Sequence, residues 1–143
     1  MGNTEVIKVV VTSPTGQLYN SQAIAVFVKG VEGELGLYKG HAQLLTKLAP
    51  SAIRIQVSEE EEKIFYVSGG IIEVQPDQIT ILADVANRAC DINEAAAKEA
   101  RTAAENILVS KDKIDYSKTR QALMESLAKL RVLELMRRAK KKF

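Results

Sequence analysis

Cys90-Asp91-Ile92-Asn93-Glu94-Ala95-Ala96-Ala97-Lys98-Glu99-Ala100 is where this chain changes character. Asp91 is a candidate helix N-cap, and Glu94 stands three residues later, the spacing of a capping box with an acid at the positive helix end. Every one of the 8 glycines and 3 prolines precedes this stretch, whereas the 53 residues from Asp91 onward hold nine alanines and neither breaker. Charge divides at the same place. Residues 1–90 carry 7 Lys and Arg against 10 Asp and Glu, a net −3; residues 91–143 carry 13 against 8, a net +5, which together give the +2 of the chain. Two different kinds of structure therefore meet near Cys90.

Downstream, Ala96, Ala100, Ala103 and Ile107 recur at helical spacing, giving a face of small residues that lets another backbone approach closely. Ser110 to Asp115 is polar and predicts a break. A second helix is expected from about Ser117 to Arg138, with Leu123, Leu127 and Leu130 on one stripe and Lys118, Arg120, Lys129, Arg131, Arg137 and Arg138 along it. Lys140 to Lys142 extend the positive charge. The expected unit is an antiparallel hairpin over residues 88–143, only marginally stable alone because alanine against leucine buries modest area.

Upstream, short β-branched runs are cut by turn chemistry. Glu5 to Val11 precedes Ser13-Pro14-Thr15-Gly16; Ala23 to Val28 ends at Gly30; Ile53 to Val57 alternates as a half-buried strand should. Ile64 to Val67 follows the acidic run Glu59 to Glu62, which predicts a solvated hairpin tip. Ile71 to Val74 and Gln78 to Ala83 form another pair around Pro76-Asp77. With no long helical period among them, residues 1–87 are expected to form an all-β antiparallel sandwich or flattened barrel.

At 143 residues and 46% hydrophobic, 27% charged content, the chain can bury a core. No run approaches a membrane span, and the N-terminal residues show neither a signal peptide nor, with valine at position 6, a myristoylation pattern. One cysteine and one histidine exclude a His/Cys metal site. The glycine-rich stretch Gly30-Val31-Glu32-Gly33-Glu34-Leu35-Gly36-Leu37-Tyr38-Lys39-Gly40-His41 lacks a Gly-Lys-Ser/Thr ending, and its acids would repel phosphate; a connection that presents acids to a partner is favoured. Cys90 reads as a buried structural residue, Ser68-Gly69-Gly70 as a tight turn or bulge, and His41 as a structural or contact residue. A hydrolase built on His41 and Cys90 is the weakest reading, because nothing flanks either one like a nucleophile or an orienting acid. Nucleic-acid or membrane-surface binding by the basic hairpin is the alternative to a protein-binding role, and eight interspersed acids count against it.

The segments Glu32-Gly33-Glu34-Leu35-Gly36-Leu37-Tyr38-Lys39-Gly40-His41-Ala42, Val67-Ser68-Gly69-Gly70-Ile71-Ile72-Glu73-Val74, Ile81-Leu82-Ala83-Asp84 and Leu130-Arg131-Val132-Leu133-Glu134-Leu135 carry a resemblance. In combination, order and spacing the chain resembles the epsilon subunits of bacterial F-type ATP synthases, close to the proteobacterial branch. The resemblance implies a non-catalytic rotor part whose sandwich docks on the gamma subunit and c ring, with Glu32, Glu34 and His41 in the partner-facing positions. It implies a regulatory hairpin that permits turnover when folded on the sandwich and blocks ATP hydrolysis when extended into the alpha/beta head. Ser110, Lys118, Arg120, Arg131, Arg137 and Arg138 would then meet the catalytic beta subunit. It also implies a place at the cytoplasmic face of the bacterial inner membrane, without insertion and without nucleic acid. Some members bind ATP through Ile/Leu-Asp-x-x-Arg-Ala; here Ile92, Asn93, Ala96 and Ala97 occupy those signature positions, so the aspartate and the arginine are replaced. No cofactor is expected, and ATP binding is expected to be weak or absent, because a lost charge-assisted contact removes about 1.5–3 kcal/mol.

Overall fold

The computed structural model describes residues 5–110 and 116–142. Ten strands come first: β1 (Ile7–Ser13), β2 (Gly16–Ala23), β3 (Ala25–Gly30), β4 (Gly33–Leu37), β5 (Leu44–Leu48), β6 (Ser51–Gln56), β7 (Glu62–Val67), β8 (Gly70–Val74), β9 (Gln78–Ala83) and β10 (Ala86–Arg88). A 3-10 turn at Ala89–Asp91 leads to helices α1 (Glu94–Ser110) and α2 (Tyr116–Lys142). The expected architecture is the observed one.

Hydrogen bonding runs β10-β7-β6-β3-β5-β8-β9-β1-β2, with β4 added to β3. All pairs are antiparallel except β1 with β9. The two ends of this path meet, since Arg88 Nη2 on β10 donates to the Leu18 carbonyl on β2 at 3.3 Å. The sheet thus curls into a flattened barrel. Alternation fills it: Val9, Val11, Val26, Ile53, Ile55, Ile72, Ile79 and Ile81 are fully buried, whereas their strand neighbours face outward.

β3 has two consecutive partners along one edge. Ala25, Val26 and Phe27 pair with β6, and Gly30 pairs with Leu48 of β5. β5 and β6 are therefore one bent strand interrupted at Ala49-Pro50, where Ser51 Oγ donates to the Ala49 carbonyl at 2.8 Å. Such corners let a strand pass from one layer of a sandwich to the other.

The helices stack in order. α2 packs on β6 and β7, and α1 packs on α2. Ala128 and Val132 bury against Ile64 and Tyr66, with Ala52, Ala89, Ile92, Leu135 and Met136 around them. Buried Thr119 and Ser126 lie seven residues apart on the other side of α2, and Ser126 Oγ donates back to the Ala122 and Leu123 carbonyls, at 3.1 and 2.9 Å, instead of reaching across.

Several expectations need correction. The 30–41 stretch is not a single connection: Gly33–Leu37 is a strand, because Val28 and Leu35 and then Val26 and Leu37 pair across a tight hairpin. Gly16–Ala23, Leu44–Leu48 and Ala86–Arg88 are strands that the apolar runs did not mark. The helix N-cap is Asn93, not Asp91; Asp91 closes the 3-10 turn, and the Ala96 N–H donates to Asn93 Oδ1 at 3.0 Å. The buried face of α1 is Ala97 and Ala104 with Arg101 between them, not Ala96, Ala100 and Ala103, which are exposed. Leu127 is 45% exposed instead of buried on the stripe. Cys90 is exposed, because it stands on the outer side of the 3-10 turn. The break expected at 110–115 lies outside the described residues apart from Ser110, which ends α1.

Candidate partner-docking surfaces

Val31 and Glu32 form the two-residue turn between paired Gly30 and Gly33, and both side chains are exposed. The Val31 N–H donates to the Lys47 carbonyl at 3.0 Å, which anchors this turn beside β5. Glu34 lies one residue into β4, in register with Lys29. His41 is elsewhere. Gly40 N–H donates to the Pro76 carbonyl at 2.8 Å and His41 N–H to the Tyr38 carbonyl at 3.2 Å, so this turn belongs with the β8–β9 connection. The imidazole Nδ1 lies 2.7 Å from the Ala42 carbonyl, which can only accept, so Nδ1 carries the proton. Five residues of β4 separate the two turns, roughly 16 Å at strand rise. The structure therefore brings Glu32 and Glu34 together and sets His41 at the opposite end of the barrel.

A second surface is apolar. Lys47 pairs with Ile71 and Ile71 with Leu82, so these side chains share the outer face of β5, β8 and β9; Leu45, two residues along, shares it too. Leu45 is 68% exposed, Leu82 52% and Ile71 43%. Three large apolar side chains on one face mark an interaction surface far better than isolated ones would. The sequence held a signal for it. Leu44-Leu45, Ile71-Ile72 and Ile81-Leu82 are adjacent apolar pairs on strands, and one member of each must point outward.

The hairpin offers charge. Glu94, in the first turn of α1, accepts from Lys98 at 3.3 Å and from Arg137 near the far end of α2. Arg137 first, and Lys98 after it, hold the Glu94 carboxyl below its usual range. Arg131 and Arg138 both pair with Glu134, at 3.3 and 2.6 Å. Lys118 and Arg120 are exposed in the first turns of α2. Three of the four positions of the nucleotide signature are built into the fold: Ile92 packs beneath α2, Asn93 caps α1 and Ala97 is buried, while Ala96 is an exposed methyl.

Between α2 and the outer face of β3 and β4 lies a groove of about 580 Å³ lined by Phe27, Lys29, Leu35, Arg54, Leu127 and Arg131. Arg54 lies 5.2 Å from the centre of the Phe27 ring and donates to Glu62 at 2.6 Å. That Glu62 bond, more than any other influence, holds the guanidinium proton more tightly than usual. Glu62 is thus a strand residue with a partner, while Glu60 and Glu61 form the hairpin tip, their N–H groups donating to Ser58 Oγ. On the other side of α2, Lys129 Nζ stands 5.3 Å from the Tyr66 ring centre, and burial raises the Tyr66 phenol well above its ordinary value. The Cys90 thiol faces Asp91 at 3.8 Å, while His41 is bonded to its neighbour's carbonyl.

Residues 6–89 match a family described as ATP synthase, delta/epsilon chain, beta-sandwich domain, and residues 91–134 match its long alpha-helix domain. An ATP synthase epsilon chain of Halorhodospira halophila is 46% identical over 138 residues, covering 95% of this chain and 98% of that one. One from Alkalilimnicola ehrlichii is 44% identical over 133 residues, covering 92% and 95%. Among solved structures, a chain of the Euglena gracilis mitochondrial ATP synthase (OSCP/F1/c-ring) shares the fold with TM-score 0.69 at 20% identity, covering 96% of this chain and 84% of that chain. A chain of the Tetrahymena thermophila mitochondrial ATP synthase central stalk and c-ring does so with TM-score 0.57 at 13% identity, covering 92% and 99%.

Proposed function

The chain belongs to the delta/epsilon chain family of ATP synthase, and from that membership we propose a non-catalytic central-stalk subunit that couples proton-driven rotation to ATP synthesis and restrains ATP hydrolysis through its hairpin. The observation that carries the docking half is the exposed apolar face of Leu45, Ile71 and Leu82. It lies on strands that α2 does not cover. In this reading that face meets the gamma subunit, and the Glu32–Glu34 end of the barrel meets the c ring. Residues 1–87 are the docking part and 88–143 the regulatory part. The subunit works on the cytoplasmic side of the bacterial inner membrane as a member of the complex; no helix among the described residues is long and apolar enough to cross a membrane.

The regulatory half rests on packing. α1 contributes the small side chains Ala97 and Ala104 to its seam with α2, so separating the helices exposes little apolar area. Elements whose two packings differ by a few kcal/mol are the usual material of switches. In this reading, α2 seated on β6 and β7 is the arrangement that permits turnover. Extension would present Lys118, Arg120, Arg131, Arg137 and Arg138, with Ser110 at the end of α1, to the alpha/beta head.

ATP hydrolysis by a catalytic head stripped of this subunit tests the reading. The intact chain is expected to inhibit, and a chain ending at Cys90 to bind without inhibiting. Inhibition by both would place the brake in the sandwich; binding by neither would remove the stalk reading. A separate calorimetric titration of the intact chain with ATP is expected to give no saturable heat below about 1 mM, since the lost guanidinium contact alone is worth one to two decades of affinity. A dissociation constant in the low micromolar range would contradict it.

A further inference from the structure

We propose that the Arg137–Glu94 ion pair is an electrostatic latch across the open end of the helical hairpin, set against a built-in weakness in the seam behind it. The two residues are 43 positions apart, and they join the first turn of α1 to the last turns of α2. The Arg131–Glu134 and Arg138–Glu134 pairs lie within α2, and Lys98–Glu94 and Arg101–Glu105 within α1, so all four survive when the helices part. Arg137–Glu94 does not survive. It lies at the end of the hairpin farthest from the chain connection, where fraying begins.

The weakness is Arg101. It stands between buried Ala97 and Ala104 with its side chain 39% exposed, but its Nε is shielded from solvent and makes no hydrogen bond; the ion pair to Glu105 on the same helix, at 3.8 Å, is too long to be one. An unsatisfied buried donor favours any state in which water reaches it. The seam therefore combines small side chains, an orphaned N–H and an exposed ionic clasp. Screening weakens exposed pairs, so ionic strength sets how often the hairpin opens. Each opening also frees Arg137, one of the cations that the stalk reading offers to the alpha/beta head, and in that respect the latch rests on that reading.

The test is hydrogen exchange of α1 and α2 amides in the intact chain alone, at about 0.05 M and about 0.5 M salt, for the natural sequence, Glu94→Gln, Arg137→Gln and the double variant. Each single change is expected to accelerate hairpin exchange about two- to fivefold at low salt, the range of an exposed pair, and to reduce the salt response. The double variant should be no faster than the faster single one. Arg101→Met is expected to slow exchange. Effects of the two singles that multiply in the double variant would overturn the latch, and faster exchange in Arg101→Met would overturn the seam argument. Because no other subunit is present, either result leaves the hydrolysis test above independent.

Discussion

Gly70→Ala is expected to destabilise the sandwich by at least about 3 kcal/mol, lowering its melting temperature by roughly 12–20 °C. Gly70 opens β8 with φ +142°, and a Cβ there would stand 2.2 Å from the Leu82 carbonyl oxygen and 2.9 Å from the Ala83 Cα. Both obstacles are backbone of β9, which is held on one side by β8 and on the other by β1. No flexible side chain can swing aside, so the strand pairing itself must move. Gly16 is the control: its φ is +143°, but nothing lies within 4 Å of the added atom. Gly16→Ala should therefore show the backbone strain alone, of order 1 kcal/mol. Thermal unfolding followed by far-ultraviolet circular dichroism separates the two; equal losses would show that dihedral strain, not the approach of β9, dictates glycine at 70.

Val132→Asp is expected to unseat α2 while leaving the sandwich folded. Val132 is fully buried with Ala128 against Ile64 and Tyr66. A carboxylate there would be desolvated without a partner, a penalty of several kcal/mol. Leaving the sheet is the less costly escape, because the barrel core from Ile7 to Ala86 is complete without the helices. Exchange of α2 amides should rise at least about 100-fold, and the β9 amides should keep their protection. Partial re-docking should follow below about pH 4, where the introduced acid is neutral. Under the stalk reading the same variant should inhibit hydrolysis more strongly than the natural chain. Protected α2 amides in the variant would refute the docking argument, and loss of β9 protection would show that the two layers fold as one.

How much of this was legible beforehand depends on how far a residue's environment is local. The change of structure at Cys90 was legible, because glycine, proline and alanine act on their own backbone. β6, β8 and β9 were legible from dense β-branched residues. Gly16–Ala23 was not: its side chains are largely polar, and it is a strand because Val9 and Val11 on β1 have their neighbours there. The α1 face lies one residue from the one the alanine spacing predicts, since a run of alanines offers several faces and only packing selects the one through Ala97 and Ala104. Asp91 and Asn93 are both competent caps; the 3-10 turn consumed the first and left the second. Glu32 and His41 are nine positions apart in sequence, and their separation emerges only once Gly33–Leu37 is seen to be extended.

The corner at Ala49-Pro50 has a mechanical consequence. Leu45 on the docking face and Arg54 beside the seat of α2 belong to one bent strand, joined by covalent bonds and pinned by the Ser51–Ala49 hydrogen bond. If the proposed face is where a partner docks, a tangential load on Leu45 would travel along peptide backbone into β6, not through side-chain packing that can yield. Under the stalk reading the barrel would act as a stiff coupling, and the helix seated on β6 and β7 would ride on the far side of that joint.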